Sequence, residues 1–325
     1  SPTPDFTLEG IESFMEAGKI ETFENPKPLY RARELVKISN EFLGFTLDQL
    51  EILLTDLLHP LQTVVVKSMG AKESTRISLK TNEYALWKMK KNYSGFISYN
   101  ISVKTKSIVA VTYDEILTDG KINHSRGSTC NILYHELEPG DYKIESFEPY
   151  TYQYLQTMVL QGDVEINNIG VRHLRCKDTN RVSFVSSDHD LELLFETGLE
   201  TFRQNAVDIF MDCPSRERAG WLCDSYFTGR AEKEITGKSL IEKAFLENYS
   251  VAESFKFLPE GMVAMCFPAD NYNGNFIPNW SMWLILELEE YLKRTGDIAL
   301  VGQMQKKVEG ILRYFETLTN DLGLL

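Results

Sequence analysis

The middle of the chain holds an unusual run of side chains: Asp212-Cys213-Pro214-Ser215-Arg216-Glu217-Arg218-Ala219-Gly220-Trp221. Asp224 follows three residues later, so three carboxylates, two guanidinium groups and one indole lie close together in the sequence. Pro214 lacks the backbone N–H that a helix interior needs, which excludes a helix through the start of the segment. The pattern predicts a turn-like segment that concentrates charged side chains.

Cleavage of a glycosidic bond needs this kind of inventory. One carboxylic acid protonates the leaving oxygen as the bond breaks. Other carboxylates accept hydrogen bonds from sugar hydroxyls, an indole offers its face to the C–H edge of a sugar, and arginine orients carboxylates by bidentate pairing. The alternative is a solvated ion-pair surface, which is the commoner role of an Arg/Glu/Asp cluster on composition alone. Proline, glycine and tryptophan in the same ten residues weaken that alternative without removing it.

The segment resembles the signature of the glycoside hydrolase family 78 α-L-rhamnosidases. The matching residues are Asp212, Cys213, Pro214, Arg216, Glu217, Arg218, Gly220, Trp221 and Asp224. The resemblance implies that Glu217 is the general acid and that Asp212 and Asp224 bind rhamnose hydroxyls or tune the acid. It also implies that Arg216 and Trp221 line the sugar pocket. The family often has glycine where this chain has Cys223.

Weaker similarities extend over most of the chain after residue 80. Tyr93–Phe96, Asp114–Lys121 and Phe147–Leu155 resemble the antiparallel β-sandwich that precedes the catalytic domain of the family. Pro278-Asn279-Trp280 and Tyr291–Asp297 resemble early helices of its (α/α)6 barrel, and Trp280 is expected to contact the sugar. An aspartate often follows that tryptophan in the family, whereas Ser281 stands here.

The resemblance implies an inverting mechanism, in which two carboxyl groups lie about 6.5–9.5 Å apart with water between them. It places the general base beyond residue 325, so the chain is expected to be truncated within the catalytic domain and inactive alone. A guanidinium favours the ionised form of a neighbouring carboxyl group. Because a general acid needs its proton, Arg216 and Arg218 are expected to point away from Glu217.

The spacing of apolar residues divides the chain into three parts. Residues 1–61 are left without a fold, although 11–23 and 47–58 have helical spacing. Residues 62–187 contain β-branched and aromatic runs between short turn signals, which predicts an antiparallel sandwich. From Asp188, a plausible N-cap, residues 188–325 have helical periodicity and are expected to form the first hairpins of the barrel.

Composition excludes several functions. A formal net charge of −13 argues against nucleic acid and anionic membranes as partners. No apolar run approaches the roughly 20 residues that a membrane span needs. No signal peptide is visible, but a processed secreted protein would look the same, so this absence says little about location. A periplasmic or secreted bacterial location is favoured, and a cytoplasmic one stays open.

No metal or other cofactor is expected. The five cysteines are scattered and form no CxxC pair, which argues against a zinc site. Cys213 and Cys223 are interpreted as small buried packing residues, with a disulfide between them as the weaker alternative. The segment 270–275 is rich in oxygen ligands, but it lacks the spacing of an EF-hand and is interpreted as a polar loop.

Two alternatives to a rhamnosidase acting on rhamnose-containing glycosides or polysaccharides stay open. One is another six-hairpin glycosidase with a different sugar. The other is a carbohydrate-binding protein without catalysis, in which Tyr150, Tyr152 and Tyr154 bind sugar, although an amphipathic strand facing a core explains these tyrosines better. Half a barrel would expose an apolar face, which leaves a homo-oligomer open.

Overall fold

A computed structural model describes residues 4–22, 58, 61–65, 76–177, 179, 181–252, 254–255, 258–269 and 276–324. The chain divides into two compact units, Phe6–Leu174 and Ser1–Asp5 with Arg175–Leu325. This partition differs from the expected boundaries at residues 61 and 187. Residues 8–22 pair with the sheet, and Cys176 packs in the core of the helical unit, where its N–H donates to the Arg203 carbonyl at 2.7 Å.

In the described part of the first unit, ten strands form a sheet in which every pair of strands is antiparallel. Its strands are β1 (Leu8–Gly10), β2 (Ser13–Thr22), β3 (Leu61–Val65), β4 (Arg76–Lys80), β5 (Glu83–Val103), β6 (Ser107–Asp114), β7 (Ile132–Leu137), β8 (Gly140–Glu145), β9 (Tyr150–Gln161) and β10 (Asp163–His173). The predicted antiparallel sheet is confirmed.

Strand β5 organises this unit because its two parts have different neighbours. Residues 83–88 lie between β2 and β9, whereas residues 98–103 lie between β10 and β8. The register shifts between Lys88 and Tyr93, where the strand passes from one layer to the other. Trp87 from the first part and Tyr99 from the second belong to one hydrophobic core, so the two layers form a sandwich.

The alternating side chains of β5 are buried on both faces of the strand. Ala85 and Trp87 pack in the main core, while Tyr84 and Leu86 pack in a second cluster on the opposite face. This explains why the sequence there is almost continuously apolar.

The three tyrosines of β9 serve the packing of the sandwich. Tyr152 is fully buried and donates its hydroxyl to the Gly170 carbonyl at 3.0 Å. Tyr150 lies 4.7 Å from the ring of Tyr113, measured between centroids, and Tyr154 packs against the second cluster. The interpretation of these side chains as core residues is therefore confirmed.

The helical spacing over residues 11–23 does not correspond to a helix, because β2 (Ser13–Thr22) is a strand. It pairs with β5 on one side and β3 on the other. Over so short a segment the apolar spacing fits either structure, and pairing with strands far along the chain decides between them. The segment 47–58, which also has helical spacing, lies outside the described residues except for Leu58, which is buried, and the segment 270–275 interpreted as a polar loop lies outside them too.

The second unit is helical, as the periodicity after Asp188 indicates. Its helices are α1 (His189–Asn205), α2 (Asp224–Thr236), α3 (Leu240–Val251), α4 (Pro278–Thr295), α5 (Ile298–Gln303) and α6 (Gln305–Glu316). Asp188 caps α1 by accepting a hydrogen bond from the Asp190 N–H at 2.9 Å, which confirms the predicted N-cap. In the described parts of the chain, no helix has both the length and the apolar character of a membrane span.

Gly296 and Asp297 form the turn between α4 and α5. Gly296 has a φ of 70° and donates its N–H to the Leu292 carbonyl at 2.8 Å, which ends α4. Asp297 then caps α5 by accepting a hydrogen bond from the Leu300 N–H at 3.1 Å. Its other oxygen accepts the Tyr291 hydroxyl at 3.0 Å. These contacts give the Tyr291–Asp297 similarity a structural basis.

Candidate active site

Residues 212–221 form a closed loop between α1 and α2. The Asp212 N–H donates to the Ala219 carbonyl at 3.1 Å, and the Ala219 N–H donates to Asp212 Oδ1 at 3.2 Å. Between these two residues the chain turns, with Arg218 in the left-handed region at a φ of 52°. Asp212 therefore shapes the loop with one carboxylate oxygen.

Glu217 lies in this loop with both carboxylate oxygens engaged. The Trp221 indole N–H donates to Oε2 at 2.9 Å, and the Arg216 guanidinium contacts Oε1. The Glu217 N–H points to Cys213 Sγ at 3.4 Å. The side chain of Glu217 is 26% exposed, so solvent and ligands reach it from one side.

The position of Arg216 corrects one expectation. Arg216 was expected to point away from Glu217, but it forms an ion pair with it, and this contact raises the pKa of the guanidinium. Arg216 and Glu217 are adjacent in a turn, so their side chains meet more easily than Arg216 could meet a carboxylate farther along the chain. The Arg216 side chain is 54% exposed, so the pair lies at the surface of the loop.

Asp224 begins α2 and shares its surroundings with the other two carboxylates. Partial burial raises the pKa of its carboxyl group, and the negative charges of Asp212 and Glu217 raise it further. The same three carboxylates act on the thiol of Cys266, whose pKa rises to about 12 through burial first and these charges second. The structure therefore brings Asp212, Glu217 and Asp224 into one neighbourhood.

The segment 263–267 holds the motif in place. The Leu222 N–H donates to the Met265 carbonyl, and the Phe267 N–H donates to the Gly220 carbonyl, both at 2.9 Å. A Cβ atom at Gly220 would lie 2.4 Å from the Phe267 carbonyl oxygen, so only glycine permits this approach. The glycine of the motif is thus required by backbone packing.

The same segment anchors the start of α4, where Trp280 lies. Ser281 is fully buried and donates its hydroxyl to the Val263 carbonyl at 2.8 Å, while the Ile277 N–H points to Met265 Sδ at 3.1 Å. Trp280 is half-buried in the first turn of α4. The segment 263–267 is hydrogen-bonded both to the motif and to this first turn. Ser281, which stands where the family often has aspartate, has a structural role here.

Cys223, immediately before α2, has a φ of 78° and a ψ of −59°, a strained conformation for any residue except glycine. We expect Cys223→Gly to stabilise the protein by about 1 kcal/mol, since relief of strain exceeds the added entropy of the unfolded chain. Thermal unfolding checks this, with a rise of roughly 2 °C for a chain of this size. Cys223→Ala keeps the strain and serves as the control, and an equal gain from alanine would contradict the explanation.

The five cysteines are free, and Cys213 and Cys223 are half-buried rather than buried. The disulfide alternative for this pair is therefore absent from the structure. Among the described residues, no group of three or more His, Cys, Asp or Glu side chains is arranged to hold a metal ion.

Sequence patterns do not reveal three buried glutamates in the helical unit. Glu232 accepts hydrogen bonds from the N–H groups of Ile241 and Glu242 at 2.9 Å each, and burial raises its pKa to about 7. Glu242 is fully buried and pairs with Arg294. Glu287 is fully buried and accepts the Ser225 hydroxyl at 2.6 Å. Each of these glutamates is on a helix, and its position in the sequence is equally typical of a glutamate that faces solvent.

A comparison with protein families matches residues 179–325 to the bacterial α-L-rhamnosidase six-hairpin glycosidase domain. The match covers somewhat less than half of the chain. The candidate site, with its loop and the start of α2, lies entirely inside the matched residues, and so does Trp280. No curated protein matches the chain.

Solved rhamnosidases share the fold of the chain. A glycoside hydrolase family 78 rhamnosidase of Bacillus sp. GL1 has 22% identity and a TM-score of 0.67 over 81% of this chain and 28% of its own. A rhamnosidase from Klebsiella oxytoca with rhamnose bound has 14% identity and a TM-score of 0.65 over 98% of this chain and 58% of its own.

A Streptomyces avermitilis α-L-rhamnosidase complexed with L-rhamnose has 18% identity and a TM-score of 0.59 over 73% of this chain and 23% of its own. This chain therefore spans between about a quarter and three fifths of the length of these three structures. The similarity supports the predicted order of a β-sandwich followed by helical hairpins.

Proposed function

We propose that the protein is a glycoside hydrolase that removes terminal α-L-rhamnose from rhamnosides or polysaccharides with inversion, and that Glu217 is its general acid. One observation carries the proposal: Glu217 is partly exposed in a hydrogen-bonded loop, where the charges of Asp212 and Glu217 both act on Asp224. Most glycoside hydrolases cleave the glycosidic bond with carboxyl groups that lie close together in the active site.

In this proposal the Glu217 carboxyl group protonates the glycosidic oxygen as the bond breaks. Trp221 holds Oε2 through its indole N–H, so Oε1 is the oxygen that faces the leaving group. Arg216 occupies Oε1 in the structure and has to release it when the sugar binds. Its half-exposed side chain can rotate into solvent without disturbing the core.

Asp212 and Asp224 accept hydrogen bonds from sugar hydroxyls in this proposal. Asp212 has one oxygen committed to the loop, which leaves the other for a hydroxyl. Asp224 is exposed at the start of α2. Trp221, and more remotely Trp280, supply apolar surface for the C–H edge of the sugar. The mechanism uses no cofactor, and no residue of this chain is proposed as the general base.

The proposal is tested with the natural full-length protein and a panel of aryl glycosides of different sugars. We expect the α-L-rhamnoside to be cleaved at least about 100-fold faster than the others, because buried polar contacts reject a sugar that lacks the matching hydroxyls. Proton NMR should show β-L-rhamnose as the first product. Preference for another sugar would favour a different six-hairpin glycosidase, and sugar binding without cleavage of any substrate would favour a carbohydrate-binding protein.

A further inference from the structure

Glu287 of α4 is buried against the first turn of α2. Its side chain has no exposure, and Oε2 accepts the hydroxyl of Ser225, itself fully buried, at 2.6 Å. Within the described ranges, Oε1 has no hydrogen-bond partner. An ionised carboxylate in this position would be costly, whereas a neutral carboxylic acid is tolerated.

Ser225 connects Glu287 to the candidate site. The Ser225 N–H donates to the Trp221 carbonyl at 3.0 Å, and the Trp221 indole donates to Glu217 Oε2 at 2.9 Å. Asp224 directly precedes Ser225 and begins the same helix. The buried carboxyl group of Glu287 thus holds Ser225. Ser225 in turn is hydrogen-bonded to the Trp221 backbone and is the direct neighbour of Asp224.

The surroundings of Glu287 oppose its ionisation on balance and raise its pKa to about 8. Burial is the largest cause, the hydrogen bond from Ser225 acts in the opposite direction, and the negative charge of Glu242 on α3 adds to the effect of burial. Arg294 lowers it, but Arg294 is paired with Glu242. The buried Tyr249 on α3 also faces Glu287, whose charge raises the pKa of that hydroxyl.

We propose that Glu287 is a positioning residue, which as a neutral carboxylic acid bonded to Ser225 fixes the first turn of α2 and thereby Asp224 and Trp221. This inference rests on the proposed function for its catalytic meaning, but the geometry it describes is testable without catalysis. The role needs a neutral side chain that accepts a hydrogen bond from Ser225. Glutamine at position 287 should therefore keep the first turn of α2 in place, and alanine should not.

The pH dependence follows from the raised pKa. Glu287 titrates at about 4.5 in the unfolded chain and at about 8 in the folded one. Its contribution to stability is therefore complete below pH 4.5 and is lost as the pH rises towards 8. Ionisation near pH 8 leaves a charge out of contact with water beside the first turn of α2. The Ser225 hydroxyl favours this charge, but burial opposes it more strongly, so opening of the turn to solvent becomes easier.

Hydrogen–deuterium exchange of peptides covering residues 221–228, corrected for intrinsic exchange rates, tests the positioning role. From pH 6 to pH 9 we expect the wild-type peptides to lose about 10-fold protection, and Glu287→Gln to lose less than about 2-fold. Glu287→Ala should be unprotected at both pH values. Glu232→Gln is the matched control, because Glu232 is another buried glutamate of raised pKa that binds the start of α3 instead. This control should keep the wild-type loss.

Two outcomes would overturn the proposal. In the first, Glu287→Gln loses as much protection between pH 6 and pH 9 as the wild type. In the second, Glu232→Gln abolishes this loss as well. The affinity for L-rhamnose, measured by calorimetry over the same pH range, gives the functional arm. We expect the wild type to weaken about 10-fold above pH 8 and Glu287→Gln to stay level. If no variant binds rhamnose while the exchange results hold, the proposed function fails and the positioning role stands.

Discussion

Glu217→Gln in the natural full-length protein lowers the hydrolysis of an alkyl rhamnoside by roughly 10²–10⁴-fold, the range that general acid catalysis supplies. Glutamine preserves the shape of the side chain and still accepts the Trp221 indole N–H, which lies 2.9 Å from Oε2 in the wild type. It cannot donate a proton to the leaving oxygen. Steady-state kinetics should therefore show a large fall in kcat, with the affinity for rhamnose kept within about 3-fold.

Asp224→Asn is the comparison, because Asp224 is the exposed carboxyl group at the start of α2 and its pKa is raised. The dinitrophenolate of a dinitrophenyl rhamnoside leaves without being protonated. A variant that lacks only the general acid therefore recovers most of its rate on that substrate. We expect this recovery for Glu217→Gln and not for Asp224→Asn, which loses sugar contacts on both substrates. The opposite pattern would transfer the acid role to Asp224.

Arg294→Met destabilises the protein by about 3–5 kcal/mol, because it leaves the fully buried Glu242 without its charged partner. Burial already raises the pKa of Glu242, while Arg294 is the strongest influence in the opposite direction. Denaturant unfolding at pH 7 measures the loss. Arg313→Met is the control, since Arg313 is 68% exposed and pairs with Glu309 on the helix surface, and it should cost less than about 1 kcal/mol.

The loss should depend on pH with a defined sign. Without Arg294 the pKa of Glu242 rises further, so the folded state takes up a proton at acidic pH. The penalty of Arg294→Met is then smaller at pH 5 than at pH 8. The double variant with Glu242→Gln removes the buried charge and should recover part of the stability. Equal losses from the two arginine variants would show that the buried pair contributes no more than a surface pair.

Much of the fold follows from local patterns in the sequence. Asp188 caps α1 and Gly296 ends α4, because each acts through neighbouring backbone groups. Strand β2 does not follow from such patterns. Its residues pair with β5 some 70 positions away, and apolar spacing over so short a segment cannot distinguish a strand from a helix.

The candidate site divides in the same way. The motif identifies Asp212, Glu217 and Asp224, and the structure brings them together around Cys266. The ion pair between Arg216 and Glu217 contradicts the expectation drawn from the chemistry of a general acid, because the two residues are adjacent in a turn that brings their side chains together. Glu287 leaves no signal in the sequence, since a glutamate at helical spacing usually faces water.

Strand β5 also sets the order in which the sandwich can be completed. Glu9 contacts His173 across 164 positions, and β10 pairs with β5 through residues 95–103. During synthesis the half of β5 that awaits β10 therefore has an unsatisfied backbone edge until nearly the whole unit has emerged. Such late, non-local pairing makes folding slow and leaves an edge to which another nascent chain can add.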